Sequence, residues 1–240
     1  MGFPVAERRA ARLSIIGQTD SKEGAVDIYS EPMLNVNDAS RYLGMPTETL
    51  RRWRSDRVIH SVSSQRRGWP TLPFAAVVEA FVLRELRSVG FTRRQIVEAA
   101  DGVRREFDDE FGLARPGVGY DEGLEIFLAI GGEYYRARDR QQAIKQTVRS
   151  FHECIQWVGQ DPQRLKLARL GNVYLDPRFG WGQPVAEPSR VPVQAIMGLW
   201  YAGESIQSIA HEYDMSANSV DDLVRAWSQA NDELVTANAA

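Results

Sequence analysis

The stretch NDASRYLGMPTETLRRW, residues 37–53, decides the expected fold because it predicts two short helices separated by a tight turn. Either Asn37 or Asp38 is expected to cap the first helix, since both side chains can accept hydrogen bonds from first-turn N–H groups. Gly44 favours the left-handed conformation that ends a helix, and Pro46 is suited to the start of the next one. This pattern predicts a helix-turn-helix.

The second helix of this pair has an apolar face and a basic face. Leu50 and Trp53 are three residues apart, and we expect both to point inward. The outer face is then left with polar side chains: Thr47, Glu48, Arg51, Arg52 and Ser55. Because guanidinium groups pair with phosphate oxygens, this composition indicates a recognition helix for nucleic acid. The alternative is a helical domain whose arginines are only solvated.

The residues that follow predict a wing and two longer helices. Residues 58–72 are expected to form two short strands around a turn, with Arg66 and Arg67 at the tip. Residues 74–90 have apolar side chains at helical spacing, and a capping box at Thr92 predicts a further helix. Two arginines at the tip of a wing could reach the phosphate backbone beside the recognition helix.

The order of these elements across residues 33–107 resembles the winged helix of the MerR-type transcription regulators. In that family the second helix enters the major groove and the wing contacts the flanking backbone. The resemblance assigns Thr47, Thr49, Arg51 and Arg52 to the recognition helix, and Arg66 and Arg67 to the wing. We expect the arginines to supply affinity and the helix to read bases. The full set predicted to contact DNA is Thr47, Glu48, Thr49, Arg51, Arg52, Arg54, Arg66 and Arg67.

Charge is distributed unevenly along the 240 residues. Residues 1–105 hold 17 Lys/Arg and 12 Asp/Glu, a balance of +5, whereas residues 106–240 hold 12 and 20, a balance of −8. A basic half suits a polyanionic partner. The hydrophobic content of 43% predicts a real core, and no apolar stretch reaches membrane-spanning length. The single cysteine, Cys154, fits a reducing compartment, so we expect a cytoplasmic protein that does not engage membranes.

The middle of the chain predicts a small α+β unit at residues 124–172. Glycine and proline in residues 111–123 mark the expected boundary before it. A β-hairpin is expected to turn at Gly131–Gly132. Residues 164–176 alternate as a strand does, although their basic residues could instead mark a solvated loop. Between these two segments, apolar residues at intervals of four, three and four predict a helix: Ile144, Val148, Phe151 and Ile155.

The spacing of the reactive residues in this middle unit does not favour a metal site or a catalytic site. His152, Glu153 and Cys154 are adjacent in sequence, so on one helix they would face different directions and could not share a metal. Cys154 is interpreted as a small buried thiol. The sequence contains no phosphate-binding loop, nucleophile elbow or paired metal motif. We therefore expect no enzymatic activity, no metal and no cofactor.

Residues 173–230 predict a second helix-turn-helix, preceded by short strands and turns. Ser205 and Ser216 can cap its two helices. Where a recognition helix would meet DNA, the last helix instead presents residues that would not attract phosphates: Asn218, Asp221 and Asp222. This module is therefore expected to be a protein-contact or dimer surface. A scaffold role without a partner is the alternative.

The C-terminal sequence also carries a resemblance. LDPRFGWGQPV, SRVPVQAI, AGESIQSIAHEYDMSANSV and the closing VRAW resemble the small helix-turn-helix domain of VapB-type antitoxins. The family usually has Gly-Thr before the arginine, whereas here Pro188-Ser189 precedes Arg190. Longer members carry a MerR-like winged helix in front, so the resemblance covers nearly all of residues 27–228. It implies an antitoxin of a type II toxin–antitoxin system, which neutralises a cognate PIN-domain ribonuclease toxin and represses its own operon by binding operator DNA.

Together these interpretations predict a mainly α fold with small β elements, divided into three units. These are a MerR-like winged helix at residues 27–110, the α+β unit at 124–172 and a helix-turn-helix domain of antitoxin type at 173–230. We expect a homodimer, because paired half-sites give a small winged helix enough contacts for tight binding. The alternative function is a MerR-like transcriptional regulator that senses a small ligand.

Overall fold

The computed structural model describes residues 26–64, 66, 68–130, 133–137, 141–143, 148–151 and 153–239. Within these ranges the chain forms seven α-helices and nine β-strands. The helices are α1 (Val36–Leu43), α2 (Thr47–Ser55), α3 (Phe74–Ser88), α4 (Arg93–Phe107), α5 (Val193–Tyr201), α6 (Ile206–Glu212) and α7 (Ala217–Ala239). The strands are β1 (Val118–Tyr120), β2 (Ile126–Ile130), β3 (Glu133–Arg136), β4 (Arg149–Ser150), β5 (Ile155–Val158), β6 (Asp161–Lys166), β7 (Val173–Leu175), β8 (Val185–Ala186) and β9 (Val191–Pro192).

The strands form two antiparallel sheets. The first has the order β3-β2-β1-β4, and the second is a meander with the order β5-β6-β7-β8-β9. The expected fold class, mainly α with small β elements, is therefore wrong, and the chain has a mixed α/β fold. Several of these strands are only two or three residues long, so alternation between apolar and polar side chains is too brief to identify them in the sequence.

The helix expected across residues 144–155 is wrong for the part of it that the structure describes. Arg149–Ser150 forms β4 and Ile155–Val158 forms β5, whereas Ile144 lies outside the described residues. Phe151 and Ile155 are both buried, but the chain turns between them. Their spacing of four residues therefore reflects the ends of two strands that meet the same core.

Two other expectations for the middle of the chain are confirmed. Strands β2 and β3 pair as an antiparallel hairpin, with Ile130 opposite Glu133, although Gly131 and Gly132 lie outside the described residues. The strands expected in residues 164–176 are present at the two ends of this segment, as the end of β6 and as β7, whereas Ala168–Leu170 between them is a short 3-10 helix. The sequence thus located these strands, but not the extent of the sheets that contain them.

Helix α3 lies at the centre of the core. Every residue from Phe74 to Leu83 is buried, which is the behaviour expected of a helix without a solvent-facing stripe. Phe151, which directly follows β4, packs near this helix, and the ring centroids of Phe81 and Phe151 are 6.4 Å apart. One hydrophobic cluster includes buried residues from Leu34 to Ala230. The N-terminal and C-terminal helices therefore share a core.

The segment expected to be a boundary, residues 111–123, contributes to this shared core. Leu113 and Ala114 are fully buried in a short 3-10 helix, Gly112–Ala114. The division of the chain into three units remains a prediction. None of the described helices has both the length and the apolar character needed to cross a membrane.

Candidate nucleic-acid interface

The first helix of the predicted pair begins earlier than the sequence suggested. Helix α1 starts at Val36, and the Asn35 side chain accepts a hydrogen bond from the Asp38 N–H at 2.9 Å. The expectation that Asn37 or Asp38 caps the helix is therefore wrong, because Asn35 already has the extended backbone of a cap. The expected end of the helix is confirmed, since Gly44 is left-handed with a φ of 63°.

Helix α2 places its apolar residues inward, as predicted. Leu50 is fully buried and Trp53 is 5% exposed. Pro46 precedes the first helical residue and serves as the N-cap. Because the buried pair fixes the rotation of α2 against the core, the opposite face of this helix is turned towards solvent.

That solvent face carries three charged side chains: Glu48, Arg51 and Arg52. Arg51 is 53% exposed, lies 3.8 Å from Glu48 as an ion pair, and donates a hydrogen bond of 3.2 Å to Asn37. Exposed pairs of this kind contribute roughly 0–1 kcal/mol, so Arg51 can exchange this partner for a phosphate at little cost. The Arg52 side chain is exposed and makes no hydrogen bond or ion pair with the residues that the structure describes.

The other predicted residues of α2 are less accessible. Thr47 and Thr49 are half-buried in the first turn of the helix. Arg54 is also half-buried and donates a hydrogen bond of 3.4 Å to the Thr71 hydroxyl. Arg54 therefore points towards the end of the following loop, whereas Arg51 and Arg52 are exposed.

The wing expected in residues 58–72 does not contain the predicted strands. In its described part, Leu72 makes an isolated bridge with Leu34, and no named strand is formed. A backbone hydrogen bond from Val62 to Thr71, 2.9 Å long, still closes the two arms of the loop. The described part of this loop makes no further strand pairing, because its sequence is polar and contains proline, which lacks the N–H that pairing requires.

The tip of this loop is exposed and cationic. The Arg66 guanidinium carbon lies 5.3 Å from the centre of the Trp69 ring, and Trp69 itself is 49% exposed. Arg67 lies outside the described residues. A cation stacked on an exposed indole keeps its N–H groups available, so Arg66 presents the same chemistry as the arginines of α2.

A buried ion pair holds the chain where it leaves α2. Glu79 of α3 is fully buried and accepts hydrogen bonds from Arg104 at 3.0 Å and from the His60 N–H at 2.9 Å. Arg104 of α4 also donates to the carbonyl oxygens of Arg57 at 2.9 Å and Val58 at 2.7 Å. Two core helices thereby fix the start of the loop that carries Arg66.

Burial is the largest influence on the Glu79 carboxyl and raises its pKa to about 7, against the opposing effect of Arg104. Sequence reasoning missed this residue. Its position in the sequence could have identified it, because Glu79 is the single charged residue in the otherwise apolar run from Phe74 to Leu83.

The last helix of the chain packs against the first. Trp227 of α7 lies 6.3 Å from Tyr42 of α1 between ring centroids, and the Arg41 guanidinium carbon is 5.8 Å from the Trp227 ring. Tyr42 and Trp227 are both buried. The C-terminal helix therefore supports the helix on which α2 packs.

A second contact joins α7 to the turn between α1 and α2. Arg169 forms an ion pair with Glu233 of α7. Its guanidinium also covers Gly44, so that a Cβ placed on Gly44 would lie 1.1 Å from Arg169 Nη1. Glycine at this position therefore has two causes, the left-handed backbone and the arginine packed against it.

The C-terminal pair of helices has the predicted caps. Ser205 accepts a hydrogen bond from the Ser208 N–H at 3.1 Å, and Ser216 accepts one from Ser219 at 3.0 Å. On the outer face of α7, Asn218 and Asp222 are exposed, and Asp221 forms an ion pair of 2.7 Å with Arg225. The face is not cationic.

The residues considered for chemistry are not arranged on a helix. Cys154 lies in the turn before β5 and is half-buried, whereas His152 lies outside the described residues. Burial, followed by the carboxylates of Glu85 and Glu153, raises the pKa of the Cys154 thiol. A thiol with a raised pKa carries less of the nucleophilic thiolate at neutral pH.

Comparisons with known proteins match both the fold and the C-terminal module. Residues 173–225 match the model of a family described as "Protein of unknown function (DUF433)". The chain is 26% identical over 227 residues to "Putative antitoxin VapB45" of Mycobacterium tuberculosis, covering 82% of this chain and 95% of that protein. The crystal structure of Rv2018 from Mycobacterium tuberculosis superposes with a TM-score of 0.66 at 25% identity, covering 82% of this chain and 98% of that one. The chain is thus similar to an antitoxin-class protein over most of its length.

Proposed function

We propose that this protein is the antitoxin of a toxin–antitoxin pair, and that it binds and neutralises a PIN-domain ribonuclease toxin. The observation that carries the proposal is the 26% identity to the protein named "Putative antitoxin VapB45", which extends over 95% of that protein. The PIN-domain class of the toxin follows from the resemblance of the C-terminal sequence to VapB-type antitoxins. A protein of this kind acts by binding its partner.

The same protein is proposed to bind operator DNA as an autorepressor, through a MerR-like winged helix in residues 27–110. Arg51, Arg52 and Arg66 would contact phosphates, because their guanidinium groups are exposed and weakly engaged. Arg67, the neighbour of Arg66 in the sequence, is proposed to contribute to the same contact. Thr47, Glu48 and Thr49 would contribute at the start of the helix, whereas Arg54 would hold the loop through Thr71.

A homodimer is proposed because three or four phosphate contacts from one copy give only modest affinity, whereas two copies on paired half-sites double the number. The resulting binding should be sensitive to salt, since each neutralised phosphate releases counterions. The units at residues 124–172 and 173–230 are proposed to connect and support this assembly, through contacts such as Trp227 with Tyr42.

Toxin neutralisation is tested by co-expression with the protein encoded by the neighbouring reading frame. We expect that protein to arrest growth when it is induced alone, and this chain to restore growth and to co-purify with it. Continued growth arrest in the presence of folded, soluble antitoxin would overturn the proposal. A Cys154→Ala variant serves as the control for enzymatic action, and it should neutralise the toxin as well as the wild type does.

A further inference from the structure

The apolar stripe of α5 continues beyond the surface that supports it. Val193, Ile196 and Met197 are buried, and their spacing places Trp200 and Tyr201 on the same side of the helix one turn later. These two aromatic side chains are nevertheless 38% and 68% exposed. Large aromatic residues that extend a core stripe without being covered are typical of interaction sites.

The chain leaves α5 in a way that keeps this surface open. Residues 200–205 are all exposed, and Gly203, with a φ of 92°, allows the turn into α6. We refer to Trp200, Tyr201, Ala202, Gly203 and Glu204 as the α5–α6 corner. Because the chain turns away at Gly203, no later part of the described chain covers the two rings fully.

A carboxylate, that of Glu204, is held at the turn that directly follows the two aromatic residues. The Glu204 N–H donates to the Leu199 carbonyl at 3.1 Å, which holds Glu204 against the last turn of α5. Its carboxylate accepts a hydrogen bond of 3.0 Å from the Ser208 hydroxyl. Glu204 is exposed, so its remaining acceptor positions are accessible to a cation from outside.

The three C-terminal helices that include the corner are acidic in sequence. Residues 193–239 contain seven Asp or Glu residues and a single arginine, Arg225. That arginine is paired with Asp221 at 2.7 Å. Because Glu204 is exposed at the corner and these helices carry a net negative charge, electrostatic complementarity favours a basic partner.

We propose that the α5–α6 corner is the docking surface for a basic protein partner, with Trp200 and Tyr201 as anchors and Glu204 pairing with an arginine or lysine. This inference rests on the proposed function and names the toxin as that partner. A ribonuclease must bind a polyanion and therefore carries a basic surface of the required sign. Aromatic anchors beside a carboxylate also suit guanidinium groups, which stack on rings and pair with oxygen atoms.

The test measures the affinity of the full-length chain for the protein encoded by the neighbouring reading frame, by calorimetry or biolayer interferometry. The double variant Trp200→Ala/Tyr201→Ala should weaken binding by at least about 30-fold, the effect typical of interface hot spots. Glu204→Lys, a surface change that leaves the core intact, should weaken binding and reduce its dependence on salt. Val158→Ala is the matched control, because Val158 is an exposed apolar residue elsewhere, at 59% exposure.

The outcomes separate this inference from the function on which it rests. If the wild-type chain does not bind the neighbouring protein, the proposed antitoxin function fails. If the wild type binds and both corner variants bind equally well, the corner is not the docking surface and only this inference fails. If the double variant keeps its affinity but loses self-association in sedimentation experiments, a second copy of the chain occupies the corner instead.

Discussion

Replacement of Glu79 by glutamine should change how the stability of the protein depends on pH. The Glu79 carboxyl is fully buried between α3, α4 and the chain after α2, and its pKa is raised from an ordinary value of 4.5 to about 7. A raised pKa means that the folded chain binds the proton more tightly than the unfolded chain does. The stabilisation is therefore complete below pH 4.5 and is lost as the pH rises through about 7.

The size of the effect follows from these two pKa values. The difference between them corresponds to about 3 kcal/mol, of which about 2–3 kcal/mol should be lost between roughly pH 5 and pH 8. Glutamine resembles the protonated acid and still accepts a hydrogen bond from the His60 N–H. The free energy of unfolding of Glu79→Gln, relative to the wild type, should therefore increase by this amount across the same interval.

Urea denaturation followed by circular dichroism at several pH values measures this difference. Glu85→Gln is the control for loss of a carboxylate from the same helix, since the Glu85 side chain is 29% exposed. Parallel stability curves for the wild type and Glu79→Gln between pH 5 and pH 8 would refute the reasoning, because they would mean that the buried carboxyl titrates as it does in the unfolded chain.

Three further predictions concern the contacts of the C-terminal half and the cysteine. Gly44→Ala should lower the free energy of unfolding by about 1–2 kcal/mol through backbone strain, and by more because the added Cβ must displace Arg169. Gly159→Ala is the control for strain alone, because Gly159 has a similar φ of 62° and its added Cβ would have no atom within 4 Å. Trp227→Ala removes a buried ring and should lower the free energy of unfolding, measured by urea denaturation, by about 3–5 kcal/mol. Cys154 should react with iodoacetamide more slowly in the native protein than in urea at pH 8, because its pKa is raised.

Each of these predictions has an outcome that contradicts it. Equal losses for Gly44→Ala and Gly159→Ala would mean that Arg169 moves aside freely. A loss below about 1 kcal/mol for Trp227→Ala would show that α7 does not support α1. Equal labelling rates for native and unfolded Cys154 would mean that the thiol is as accessible and as acidic as in a free chain.

The N-terminal helices could be predicted from the sequence because their signals are local. Gly44, the Thr92 capping box and the Leu50–Trp53 pair each act within one or two turns, and all three are found as predicted. The first cap was misplaced by two or three residues because several polar side chains compete at that position. Backbone conformation, which selects Asn35, cannot be read from residue type alone.

The two sheets and the supporting contacts could not be predicted in the same way. Five of the nine strands in the described part of the chain have only two or three residues. The strands pair in orders such as β3-β2-β1-β4, which depend on contacts between distant residues. Phe151 and Ile155 show the difficulty, since a spacing of four residues fits a helix and also fits two strand ends around a turn. Glu79 with Arg104, and Gly44 with Arg169, are likewise pairs that only the folded chain brings together.

The proposed DNA-binding surface is tested most directly by the affinity of the protein for DNA upstream of its own reading frame, measured by fluorescence anisotropy between roughly 50 and 200 mM salt. The triple variant Arg51→Ala/Arg52→Ala/Arg66→Ala should bind more weakly. The slope of the logarithm of its affinity against the logarithm of the salt concentration should be smaller in magnitude by about 2.7 for each protomer, since each of the three lost phosphate contacts contributes about 0.9. Arg94→Ala removes an 87% exposed arginine from α4 and serves as the control. If the triple variant keeps the wild-type affinity and slope, these side chains do not form the DNA-binding surface.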